Sequence, residues 1–128
     1  MRAAADVHRR FGRGAVPNYI ISNCNAFSDL LEVAVLLKEA GLLQPVSSNG
    51  QSVSPSSASL HVNIIPLFET IDDLRRGASI MDTAFRHPVF RSWLVGAAEA
   101  ASVPGQPPRP LSQEIMLGYS DSSSACYR

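Results

Sequence analysis

Between Leu60 and Phe68 the chain runs with few polar breaks, and Val62, Ile64, Ile65, Leu67 and Phe68 fall on both alternating faces of a strand. A strand with one buried face alternates apolar and polar residues. One that is apolar on both faces is buried on both, as in parallel sheets. This run constrains the fold more than any other segment, because a buried parallel strand needs crossovers long enough to hold helices. It ends in Pro66-Leu67-Phe68-Glu69-Thr70, which places a carboxylate at the carboxyl end of the strand. A second strand, Gln113 to Tyr119, leads into Gly118-Tyr119-Ser120-Asp121-Ser122 and again ends near a carboxylate. A third, within Asn18-Tyr19-Ile20-Ile21-Ser22, also turns polar at its end. Metals and substrates bind at the carboxyl ends of strands in parallel β/α proteins. Three strands with this pattern point to one shared site.

Helical signals fill the gaps between these strands. Ala3 to Phe11 reads as a helix stopped by Gly12 and Gly14. Ser28 is expected to cap a helix running to Ala40, with Asp29 and Glu32 in its first turn. Its apolar stripe is Leu30, Val33, Ala34, Leu37 and Ala40, and Gly41 is the stop. Thr70 is expected to cap the next helix, with Asp72 and Asp73 in the first turn and Ile71, Leu74, Ala78, Met81 and Phe85 as the buried stripe. His87-Pro88 ends that helix, and Pro88 opens another to about Ala100. Residues 44–59, rich in Ser, and 102–112, rich in Pro, read as flexible loops. The order is β-α-β-α-α-β. This is an α/β fold with a parallel sheet, either open or part of a barrel. A TIM-type barrel needs eight strands, so a chain with three would be one segment of it.

The 128 residues suit one domain. Eleven basic and eleven acidic residues cancel, which leaves no electrostatic footprint for nucleic acid or an anionic membrane. The cluster Arg2, Arg9, Arg10 and Arg13 reads as a solvated helix face. No stretch is apolar enough to span a bilayer, and the first thirteen residues lack the apolar centre of a signal peptide. The expectation is a soluble cytoplasmic protein with Cys24 and Cys126 as reduced thiols. The two cysteines form no CxxC pair, and His8, His61 and His87 stand at no metal-ligand spacing.

Neighbouring parallel strands lie about 4.8 Å apart, so Glu69 and Asp121 at adjacent strand ends would reach one hard cation. Mg²⁺ suits such a site, since it takes one or two carboxylates and fills its octahedron with water and substrate oxygens. The competing reading is that both carboxylates cap the following helices or pair with loop arginines. Ser120 lacks the second glycine and the partner histidine of a nucleophile elbow. Cys24, just past the first strand, reads as a small packed thiol.

Taken together these segments resemble the phosphoenolpyruvate carboxylase family, and the bacterial members most. The resemblance rests on Phe11-Gly12, on Asn18 to Ser22, on Ser28-Asp29-Leu30-Leu31-Glu32-Val33 and on Leu36-Leu37-Lys38-Glu39-Ala40-Gly41. It extends through Ile65 to Leu74 and through Gln113-Glu114-Ile115-Met116-Leu117-Gly118-Tyr119-Ser120-Asp121-Ser122, in matching order and similar spacing. It implies an enzyme, a carbon–carbon lyase of carbon dioxide fixation that feeds the tricarboxylic acid cycle. Phosphoenolpyruvate and bicarbonate would become oxaloacetate and phosphate. It implies Mg²⁺ or Mn²⁺ as cofactor, stabilising the enolate that forms as phosphoryl leaves. It matches the family's two metal carboxylates to Glu69 and Asp121. It also implies an eight-stranded barrel in a much longer, homotetrameric parent, of which residues 1–128 would be one central fragment.

The family's catalytic histidines, substrate-binding arginines and mobile Gly/Arg-rich loop match nothing here, so no catalytic residue is assigned and the isolated chain is expected to be inactive. After Ser122 the family continues with Lys-Asp, whereas this chain has Ser123-Ser124 and then Ala125 to Arg128. Two other functions fit parts of the pattern. One is a non-catalytic remnant or interaction fragment with unpaired sheet edges. The other is a different metal-dependent enzyme of phosphoenolpyruvate or pyruvate with a similar barrel.

Overall fold

The computed structural model describes residues 1–45, 58–100, 105–107 and 110–118. Helix α1 (Arg2–Phe11) is followed by a 3-10 turn (Arg13–Ala15), strand β1 (Asn18–Ile21) and helix α2 (Phe27–Glu39). Strands β2 (Leu43–Pro45), β3 (Ala58–Leu60) and β4 (Asn63–Phe68) come next. Helices α3 (Ile71–Arg86) and α4 (Pro88–Ala100) lead to β5 (Met116–Leu117). The structure is therefore mixed α/β with four helices. β1, β4 and β5 form a parallel sheet with β4 at its centre.

β4 is buried from Ile64 to Phe68, as its two apolar faces require. The core groups Ile64 and Phe68 of β4 with Leu30, Leu37, Ile80 and Trp93 from the three long helices. Ile65 and Leu67 lie on the opposite face of the strand, outside that cluster, yet are only 5% and 9% exposed. The register pairs Ile20 with Ile65 and Met116 with Leu67, so all four share that second face.

Several boundaries differ from expectation. Leu60 to Phe68 is not one strand. Leu60 ends β3, which pairs antiparallel with β2 through Leu43↔Leu60 and Gln44↔Ser59. The His61 amide then donates to Leu42 O and the Asn63 amide to Pro17 O, so the chain changes partners across the bend at His61-Val62. The expected loop 44–59 accordingly begins and ends in paired strand, while 46–57 lies outside the described residues. Of the Pro-rich connector, residues 105–107 and 110–112 are described, and none of them is in a helix or strand. The third strand is shorter than Gln113 to Tyr119. Ladder pairing is confined to Met116 and Leu117, and Tyr119 lies outside the described residues.

Two helix details also change. α2 starts at Phe27 with Ala26 as the cap position, so Ser28 lies inside the first turn. Asp29 takes over the capping role, its Oδ2 accepting from the amides of Asn25 at 2.7 Å and Ala26 at 3.0 Å. The α2 stripe Leu30, Val33, Ala34 and Leu37 is buried as expected. The α3 stripe is rotated. Asp73, Gly77, Ile80, Met81 and Ala84 are buried, whereas Ile71, Leu74 and Phe85 are exposed. Gly77 faces the Phe68 ring on this buried side, and a Cβ there would stand 3.2 Å from the ring, closer than ordinary packing. Leu74, Ala78 and Phe85 instead line an open groove with Ile115 and Leu117. His87, in extended conformation before Pro88, separates α3 from α4 as the sequence indicates. No described helix is long and apolar enough to cross a membrane.

Candidate functional site

Because β1, β4 and β5 are parallel, their carboxyl ends share one edge of the sheet. Glu69 follows the last residue of β4 on that edge and is half-buried. Thr70 caps α3, its Oγ1 accepting from the Asp73 amide at 3.1 Å, and Asp73 Oδ2 accepts from the Thr70 amide at 3.1 Å. This reciprocal capping box satisfies the Thr70 and Asp73 amides at the helix N-terminus. The Thr70 amide that Asp73 binds belongs to the peptide linking Glu69 to Thr70. Asp73 therefore fixes the peptide that carries Glu69.

The same carboxylate ties two loops together. Arg76 Nη2 donates to Asp73 Oδ1 at 2.8 Å and to Asn25 Oδ1 at 2.9 Å, linking the start of α3 to the segment after β1. Asn25 lies two residues beyond Asn23, whose φ of 57° turns the chain sharply at the end of β1. The Thr70 amide most of all holds the Asp73 carboxyl below the ordinary carboxylate value. The Thr70 hydroxyl, the Arg76 guanidinium and the Glu69 amide add to this, against the opposing effect of burial. At 3% exposure Asp73 is the buried charged residue of the described chain, and these partners are what make its burial tolerable.

On the β5 side, the Gly118 amide donates to Phe68 O at 2.9 Å. The stem of Glu69 lies directly against Gly118. The structure thus brings Glu69 together with the first residue of the Gly118-to-Ser122 motif. Asp121 and Ser120 lie outside the described residues. Among the described residues, no three or more His, Cys, Asp or Glu side chains gather where they could hold a metal ion. One carboxylate of the expected pair, Glu69, is thereby placed at the sheet edge, and a carboxylate oxygen is the ligand type that hard divalent ions take.

Cys24 is fully buried beside this network. Burial first, then the Asp29 and Asp73 carboxylates, push its thiol up to about 11. It is a packed thiol, as the sequence suggests. His8 bonds through Nε2 to Val16 O at 2.8 Å, and His87 stacks on Phe27 with ring centroids 5.0 Å apart. Burial, then Arg13 and His8, hold His61 below the ordinary histidine value. What sequence reasoning missed was Asp73, read only as a dipole partner. Its signal was the Thr70-x-x-Asp73 spacing of a capping box.

Residues 1–125 match the family model described as phosphoenolpyruvate carboxylase. The phosphoenolpyruvate carboxylase of Azoarcus sp. (strain BH72) is 48% identical over 122 residues, covering 95% of this chain and 11% of the relative. Those of Nocardia farcinica and Nitrosomonas europaea are 50% and 49% identical over 123 residues, each covering 96% of this chain and 11% of the relative. This chain thus spans about a tenth of the length of these curated relatives. No solved structure matches it. Matched along nearly its whole length by the family and by relatives of about half-identical sequence, the chain belongs to the phosphoenolpyruvate carboxylase family.

Proposed function

We propose that this chain is a barrel segment of a phosphoenolpyruvate carboxylase and supplies two carboxylates, Glu69 and Asp121, to a divalent metal site. The parent enzyme, cytoplasmic and homotetrameric in this reading, joins bicarbonate to phosphoenolpyruvate and releases oxaloacetate and phosphate. Bound Mg²⁺ or Mn²⁺ supplies electrostatic stabilisation of the negative charge that develops on the substrate. The chain's own part is to hold an oxygen ligand at a fixed place on the sheet edge. The observation that carries this reading is Glu69 itself. It directly follows the buried central strand, its peptide with Thr70 is held by Asp73, and its stem rests on Gly118.

The barrel is favoured over an open sheet by the second face of the strands. Ile20, Ile65, Leu67 and Met116 are apolar and share one face, and the helices gather in the cluster on the other. Barrel strands have helices outside and packed apolar side chains inside, whereas an open doubly wound sheet has helices on both faces.

The test is a chimaera in which this chain replaces the matching segment of the Azoarcus sp. enzyme. Mg²⁺-dependent oxaloacetate formation is expected, and Glu69→Gln and Asp121→Asn should each abolish it. Full activity in either variant would refute the assignment. The isolated chain is expected to release no phosphate from phosphoenolpyruvate; release lost on Glu69→Gln would show that it needs no parent. A second reading, an interaction fragment, is supported by the exposed edges. Ile20 is 49% exposed and Leu117 58%. Concentration-dependent self-association without metal binding would favour it.

A further inference from the structure

Gly118 opens the segment that carries Asp121, yet its backbone does not call for glycine, since its φ lies outside the left-handed region. Space does call for it. A Cβ at this position would lie 2.8 Å from Glu69 Cγ, 2.9 Å from Glu69 Cα and 3.0 Å from Glu69 Cβ. Carbon atoms pack at about 3.5–4.0 Å, so every one of these approaches is a clash. The clash cannot be relieved by swinging a flexible side chain, because Glu69 Cα is bonded to the peptide that Asp73 holds through the Thr70 amide at 3.1 Å. The β5 backbone cannot retreat without breaking the 2.9 Å bond from the Gly118 amide to Phe68 O. Glu69 is therefore enclosed between Asp73 and a bare stretch of the neighbouring strand.

We propose that Gly118 is a positioning residue for Glu69. Its missing side chain forms the floor on which the Glu69 stem lies, and so sets how the carboxylate leaves the sheet edge. This rests on the metal reading above. A side chain at residue 118 would displace a ligand it never touches chemically. Support for a metal ligand of this kind is worth about 10- to 100-fold in affinity.

The experiment is a Mn²⁺ titration of the 128-residue chain, followed by electron paramagnetic resonance, with NMR of the same samples. Glu69→Gln should abolish binding. Gly118→Ala should weaken it by about 10- to 100-fold. Gly77→Ala serves as the control for lost stability, because it strains the contact with Phe68 and not with Glu69; it should leave the affinity of the folded protein unchanged. No binding by the wild type, or binding indifferent to Glu69→Gln, would refute the metal reading and this inference with it. Binding lost in Glu69→Gln but unchanged in Gly118→Ala would refute the role of Gly118 alone, as would an equal loss in Gly77→Ala. Should Gly118→Ala fail to fold, the wild type still decides. Bound Mn²⁺ should broaden the Gly118 Hα resonances together with the Glu69 methylenes, and a sharp Gly118 signal at saturation would overturn the proposal.

Discussion

The central strand of the parallel sheet and its two edge strands are alike in apolar character and unequally covered. On the helix side, Ile64 and Phe68 are each 2% exposed beneath α2, α3 and α4. On the other, Ile65 and Leu67 are buried too, whereas on β1 and β5 Ile20 and Met116 of that face are 49% and 43% exposed and Leu117 of the helix face is 58% exposed. Burial of an apolar side chain is stabilising only where something displaces the water. β4, covered on both faces, thus anchors this chain, while β1 and β5 leave apolar side chains open to water on both faces.

Substitutions on the central strand and on the edge strands should separate sharply. Phe68→Ala removes a ring packed against Gly77 and should cost about 3–5 kcal/mol in urea unfolding. A loss no larger than at an exposed position would mean that the helix face is not the core. Thr70→Ala removes the cap of α3 and should cost about 1 kcal/mol. Its effect should reach the site as well, since the Thr70 and Asp73 pair also holds the Glu69 peptide.

The same pair makes a prediction about acid. The Asp73 carboxyl titrates in the folded chain below its ordinary value of 3.8, so at low pH the unfolded chain binds the proton first. Its stabilisation is fully present above that ordinary value and is lost as pH falls through the lower folded value. Asp73→Asn should flatten the acid limb of the unfolding curve, and an unchanged limb would show that the network is not holding the charge. The smallest effect is expected at Ile20→Lys, within about 0.5 kcal/mol in the isolated chain, as for a surface site. In the chimaeric carboxylase the same change should be severe. Equal tolerance in both would break the barrel reading.

Much of this was legible in the residues. The apolar run marked β4 as a strand buried on both faces, and Thr70 and Pro88 marked helix starts correctly. Where the reading failed, the missing information was tertiary. Counting apolar residues along α3 gave Leu74 and Phe85 to the core, because Asp73 and Gly77 carry no hydrophobic signal. One is buried through its hydrogen bonds and the other because Phe68 needs its space. The β2–β3 pair was hidden because its strands are three residues each and separated by a Ser-rich stretch. The end of β4 at Glu69 could be read from pattern alone. The contact between Glu69 and Gly118 could not, since it depends on the register of two strands nearly fifty residues apart.

The most direct test of the central claim is a crystal of this chain grown with Mn²⁺ and measured at the manganese edge. The account predicts one anomalous peak at the carboxyl edge of the sheet, with a Glu69 carboxylate oxygen about 2.1 Å from it, a distance like that of a hard octahedral ion. A fully occupied Mn²⁺ elsewhere, with Glu69 turned to an arginine, would contradict it.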